Sequence, residues 1–429
     1  MTKLEDHPLR YQLANELHAR PFPSLGAPCR AVFLAIKQPS NAVGRDRDAD
    51  RGHLLALLDR YGADHPSPGA THFFGTIGKY QLKWESHTEF ITYTVFMDGL
   101  GTKPFSPDDF EVFPEDWLAN APGNRMTSAL VRIEEQSDNA GISDKLAEWF
   151  VPESLAVSSV LEDTAVVASD FRIDAAGHMR SVIFVRPASG DRRNGRIVQR
   201  VTEIETYKSM SMLGLARVRE LSGPMGALDD ELSALVSSIG QTEVGDSEAT
   251  LEALMSIASE LEKLIARTSF RFGATGAYEA LVNQRIEVLR ENRFEGRQTM
   301  GEFMMRRFDP AMRTVKATER RLNQLAQRAA RAGDLLRTRV DVERSAQNQK
   351  LLESMDARAD AQLKLQKTVE GFSVAAISYY AVNLLGYLGF PLAEPMGISK
   401  NMLMFFLTIP VIIGVFFVVR LIRRSVESA

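Results

Sequence analysis

Phe372–Leu388 (FSVAAISYYAVNLLGYL) and Met402–Val419 (MLMFFLTIPVIIGVFFVV) hold no charged side chain across 17 and 18 residues. A helix needs roughly 20 apolar residues to cross the hydrocarbon of a bilayer, and about 17 at least. Both stretches reach that length, the first with room to extend through Gly389–Leu392. The alternative is a buried pair of core helices. The flanks set a direction. Lys364 and Lys367 precede the first stretch, Arg420, Arg423 and Arg424 follow the second, and the loop Ala393–Asn401 carries only Lys400 and Glu394. Lys and Arg collect on the cytoplasmic side of spans. The expectation is a transmembrane hairpin over 372–424, with both termini cytoplasmic and the loop outside.

Working back from the hairpin, no proline occurs between Pro310 and Pro391. Asp309-Pro310 suits a helix start, because proline fits the first turn. A continuous helix over Ala311–Leu388 would be about 117 Å long, and a lone helix of that length needs partners. Val315, Leu322, Ala329 and Leu336 recur every seven residues, and the pattern fails at Glu343. A bundle or short coiled coil is expected, with a stalk over 309–371. The basic run Arg306–Arg339 holds ten Lys or Arg against Asp309, Glu319 and Asp334. It reads either as a solvated helix face paired with acids such as Glu260, Glu262 and Asp229, or as an anion- or partner-binding surface.

Residues 189–308 also read as helical. Arg196–Leu221, Gly226–Ile239, Ser247–Arg267 and Ala277–Asn292 carry apolar residues at three- and four-residue spacing, with breaks expected at Gly223-Pro224 and Gly273–Gly276. Residues 1–188 read as an α+β domain with a mixed sheet of six or seven strands. The strands are Cys29–Lys37, His72–Ile77, Tyr80–Glu85, Glu89–Phe96, Thr127–Glu134, Thr164–Arg172 and His178–Arg186; the helices are Arg45–Tyr61 and Ser143–Phe150.

The whole-chain charge is near balance, 51 basic against 55 acidic residues, which argues against nucleic acid as a partner. One cysteine, Cys29, leaves no internal disulfide and fits a reducing compartment. The first residues have no apolar core and do not read as a signal peptide. There is no glycine-rich phosphate loop, nucleophile elbow or metalloprotease motif, so no enzyme and no cofactor are expected.

Two groups of polar residues are candidates. Six of seven histidines lie within the first 87 residues. His7, His18 and Arg20 sit near one another in sequence, and Glu85, His87 and Glu89 would share one face of a strand. Histidine with carboxylate can hold a divalent metal or move protons; the competing reading is a hydrogen-bonded structural network. In the first span, Tyr379, Asn383, Gly386 and Phe390 recur at steps of four, three and four, with Ala376 continuing the line. Polar groups in hydrocarbon are costly unless they face protein or water, so this stripe reads as a helix contact or a pore lining.

Four segments carry a family resemblance: His7–Arg10, Glu16–Pro21 (ELHARP), Trp84–Tyr93 (WESHTEFITY) and Val369–Tyr380 (VEGFSVAAISYY). Together they resemble a bacterial family of membrane-anchored proteins, domain-of-unknown-function family 3422. That resemblance covers the whole chain and implies a place in the bacterial inner membrane, with no activity attached. The order of parts also resembles the CorA-type magnesium channels: an α/β domain, helices, one long helix entering the first of two C-terminal spans. This second resemblance implies a homo-oligomer, a pentamer in that family, and a divalent cation as cargo, with Glu394 as the acid of the outer loop. The Gly-Met-Asn signature of that family is absent; Gly386-Tyr387-Leu388-Gly389-Phe390 stands there. The reading is a cation channel or transporter in the lipid bilayer, or a non-enzymatic anchored scaffold or sensor.

Overall fold

A computed structural model of the chain describes residues 4–16, 22–39, 44–187, 189–238 and 247–427. His18 and Arg20 lie outside them. In chain order the elements are α1 (Arg10–Glu16), β1 (Cys29–Lys37), α2 (Arg47–Arg60), β2 (His72–Ile77), β3 (Tyr80–Ser86), β4 (Phe90–Asp98), α3 (Glu115–Ala119) and β5 (Asn124–Glu135). There follow α4 (Asn139–Trp149), β6 (Ala156–Val160), β7 (Ala165–Ile173), β8 (Met179–Val185), α5 (Asp191–Ser238), α6 (Ser247–Glu287), β9 (Asn292–Arg293), α7 (Met300–Arg307), α8 (Asp309–Ala393) and α9 (Lys400–Glu427). They form two compact units. One comprises Met1–Gly240 and Glu252–Ala332, the other Gln241–Leu251 and Gly333–Ala429.

The first unit is built on a sheet of order β2-β3-β4-β1-β5-β8-β7-β6-β9. Neighbours are antiparallel except β5 and β8, which run parallel, so the sheet is mixed. Alternation along β1 shows why it lies within the sheet. Ala31, Phe33 and Ala35 point into one core with α5–α8; Val32, Leu34 and Ile36 point into the other with Leu54, Leu57 and Leu58 of α2. A third cluster packs Ile142 and Leu146 of α4 on Val166, Val182 and Phe184. Nine strands are described where six or seven were expected; β6 (AVSSV) and the two-residue β9 are the additions.

The breaks expected in the helical region do not occur. Helix α5 runs through Gly223-Pro224 and α6 through Gly273–Gly276. A proline inside a helix removes a hydrogen bond at a cost of about 3 kcal/mol, but Leu221 and Met225 beside it are both buried, and their packing holds the helix. Phe272 and Thr275 do the same for α6. Helices α5 and α6 approach closely at Gly214, where a Cβ would lie 2.4 Å from Thr275 Oγ1. On α8, Val315, Leu322, Ala329 and Leu336 are all buried, as their seven-residue spacing requires. Of the acids expected opposite the basic run, Asp229 pairs with Arg321 and Arg328, while Glu260 pairs with Lys263; Lys316 finds Glu279.

A buried histidine bridges α2, β4 and α3. His53 stacks on Trp117 with ring centroids 3.9 Å apart. Its Nε2 lies 3.1 Å from the Trp117 carbonyl and its Nδ1 2.8 Å from the Tyr93 hydroxyl. A carbonyl only accepts, so Nε2 carries the proton and Nδ1 accepts from Tyr93. The neutral ring satisfies both contacts, and burial pushes the pKa down to about 4. An unfolded histidine titrates near 6.5, so the native state resists a proton that the unfolded state takes up. Stability from this group is complete above about pH 6.5 and declines as the pH falls toward 4, by about 3 kcal/mol in total. His178, also depressed by burial, acts in the same direction. Urea unfolding of the purified chain should show this acid loss, and His53→Gln should flatten it; an unchanged slope in the variant would contradict the assignment.

Candidate functional site

The polar segment WESHTE does not form one strand. Strand β3 ends at Ser86 and β4 begins at Phe90, so Glu85 lies on a strand while His87 and Glu89 lie in the turn between. His87 N donates to the Phe90 carbonyl at 2.8 Å, closing the hairpin. Of the three side chains expected on one face, Glu85 and His87 still line a common cleft, while Glu89 turns to α6. A run of Ser, His, Thr and Glu offers no apolar residue to hold a strand face, and the chain reverses there instead.

Two arginines fix this turn. Arg45, itself buried, donates to the His87 carbonyl at 2.6 Å and to Ser86 Oγ at 3.0 Å, reaches the Thr88 carbonyl, and pairs with Asp50 through Nε at 2.5 Å. On the other side the Glu89 carboxylate, 1% exposed, is gripped by Arg271 of α6 and accepts from the Tyr278 hydroxyl at 3.0 Å. Burial and the adjacent carboxylate push the Tyr278 hydroxyl up. Burial and the Arg271 charge push the Lys37 ammonium down, against the pull of Glu89. The His87 ring stacks on Phe90 at 4.3 Å.

Beside the turn, between the sheet and α5, lies a narrow cleft lined by Lys83, Glu85, His87, Thr92, Gln199 and Glu203, among others. Its free space is about 20 Å³, enough for a single water. The polar groups form a relay. Lys83 Nζ lies 3.2 Å from Glu85 and donates to Gln199 Oε1 at 2.9 Å, Gln199 donates to Glu203 at 2.8 Å, and Arg285 pairs with Glu203. Among the described residues no group of three His, Cys, Asp or Glu is disposed to hold a metal ion. His7 is exposed and its Nδ1 accepts from Leu9 N at 3.2 Å. What the arrangement does chemically is hold buried charge in opposed pairs. Sequence reading missed Arg45, Arg271 and Tyr278; the last two stand 182 and 189 residues from Glu89, beyond any local pattern.

In the second unit, α8 and α9 turn back on each other through a short 3₁₀ turn at Glu394–Met396. Both helices are long and apolar enough to cross a membrane, and the apolar stretch of α9 is not buried. They approach closely at Gly386, where a Cβ would lie 2.3 Å from Met404 Sδ. Tyr379 is 68% exposed. Asn383 donates to the Tyr379 carbonyl of its own helix at 2.9 Å and borders an open groove with Met404, Thr408 and Ile412. Glu394 is exposed in the turn. The stripe is thus divided, Gly386 against α9 and Tyr379 on an open flank.

These parts are one protein family's. The chain belongs to the family described as protein of unknown function (DUF3422), whose model matches residues 5–426. No curated protein and no solved structure matches it.

Removing one partner of a buried ion pair costs about 3–5 kcal/mol, because the other charge is left unpaired. Glu89→Leu and Arg271→Leu should each lower the urea midpoint accordingly, and the double variant should lose less than the two together. Simple additivity would show that the pair is not coupled.

Proposed function

We propose that the chain is a membrane protein of CorA-like build whose copies assemble side by side and pass a cation along the first span, without catalysis. In this reading the α8–α9 hairpin crosses the inner membrane, the first unit stays cytoplasmic, and nucleic acid is no partner. The observation that supports it is α8 itself, one helix from Asp309 to Ala393 that leaves Tyr379 exposed and Asn383 half-buried at an open groove beside α9. Exposed polar groups in hydrocarbon require protein or water around them, and neighbouring copies would supply both.

A second reading, an anchored scaffold or sensor, is favoured by two contacts. Met404 fills the space beside Gly386, and the Asn383 amide already has a carbonyl partner. A span so satisfied can serve as an anchor alone.

Two measurements test these ideas. Met396, exposed in the turn, should react as Met396→Cys with an impermeant thiol reagent from outside intact cells; labelling only after the membrane is opened would reverse the topology. Proteoliposomes of the purified chain should take up one or more of Mg²⁺, Co²⁺, Zn²⁺ and K⁺, and Asn383→Leu should abolish uptake in an intact oligomer, because an apolar ring dewets a narrow pore. An oligomer without flux leaves the scaffold reading.

A further inference from the structure

The middle of α8 is left bare. Every residue from 344 to 369 is exposed, and a helix with no packed face does not persist alone. Its side chains are nonetheless sorted. Stepping by three and four from Leu351, the positions are Leu351 and Met355, then the polar Arg358 and Gln362, then Leu365, Val369 and Phe372. The apolar members are 54–73% exposed. Eight charged residues lie between Lys350 and Glu370, and seven of them avoid this line and the positions flanking it; Arg358 is the exception. The flanking positions are neutral throughout, Ser354, Ala359 and Ala361 being small. Continued by the same steps, the line passes through Ala376 and Tyr379, both exposed, and ends where Gly386 packs on Met404 of α9.

We infer that this line, Leu351 to Phe372, is one seam on which copies of the chain dock, parallel and in register. A seven-residue repeat drifts by about 20° per heptad on a straight helix, so it stays turned to a partner only in a left-handed supercoil with a helix of the same repeat. The same chain supplies such a helix. The seam deepens the membrane reading given above, which puts all copies in one orientation. The neutral face is wider than a two-stranded seam needs, so each helix meets two neighbours and the assembly has three or more copies. Arg358 and Gln362 form the polar layers that fix register.

Disulfide formation in membranes of cells making the full chain tests this. In a Cys29→Ser background, single cysteines are placed on the seam (Met355→Cys, Val369→Cys) and on the outward face (Asp360→Cys, Lys367→Cys). A disulfide needs Cα atoms about 4.4–6.8 Å apart, and identical residues meet at both seam positions only when the helices are parallel and in register. Mild oxidation should yield linked dimer at 355 and 369, with near loss of dimer at 360 and 367. Equal yields on both faces, or dimer at neither, would overturn the seam, including the case in which another protein or lipid covers it. Alkaline washing of the same membranes keeps the two ideas apart. Seam dimers in a chain that washes off would end the membrane reading and leave the seam standing. A chain retained without dimer would end the seam alone.

Discussion

The first unit depends on β1 being buried on both of its faces. A strand in that position can carry no polar side chain without a partner, and its alternating residues commit the two sides of the sheet to different helices. One side takes α2 and α3, with Trp117 stacked on His53. The other takes residues of α5 to α8. The helices that follow residue 188 therefore complete the core of the sheet that precedes it. Lys37, at the end of β1, shows the strain of that position: its ammonium is buried, and burial lowers its affinity for a proton.

What could be read in advance followed from period and length. Cys29–Lys37, rich in β-formers, and His72–Ile77, in an alternating stretch, are strands as expected, and the apolar stretches at 372 and 402 lie in helices. What could not be read rests on partners distant in the chain. Strand β6 is five residues long and contains Ser158 and Ser159; Ser158 stays in the core because its hydroxyl donates to Glu291, 133 residues away, at 2.6 Å. Glu291 in turn accepts from Gly301 N at 2.8 Å, at the start of α7. The Gly223-Pro224 pair carries a strong local stop signal, and tertiary packing overrides it. Of the candidate sites, the WESHTE segment stood out by composition, yet its geometry, a turn pinned by Arg45 and Arg271, belongs to segments that composition does not link to it.

The two candidate regions obey opposite rules. Around the β3–β4 turn each buried charge meets an opposing group, and the low local dielectric makes that pairing strict. In the hairpin, backbone groups are satisfied within each helix, and the side chains left outward are mostly apolar, with the tyrosines Tyr379, Tyr380 and Tyr387 among them. Contact there relies on close approach, for which Gly386 against Met404 is one means. A methionine is well suited to such a contact, since its flexible thioether fills irregular space.

The sharing of one core by β1 and α8 also orders events during synthesis. Met312 and Val315 belong to the same cluster as Phe33 and Ile197, so the first unit lacks part of its interior until the chain has been made past Val315. Contacts between residues this far apart close late, while domains generally fold as units as they leave the ribosome. The first apolar stretch begins only at Phe372. The ribosome thus delivers the last pieces of the interior shortly before the hydrophobic hairpin, and completion of the one runs close in time to exposure of the other.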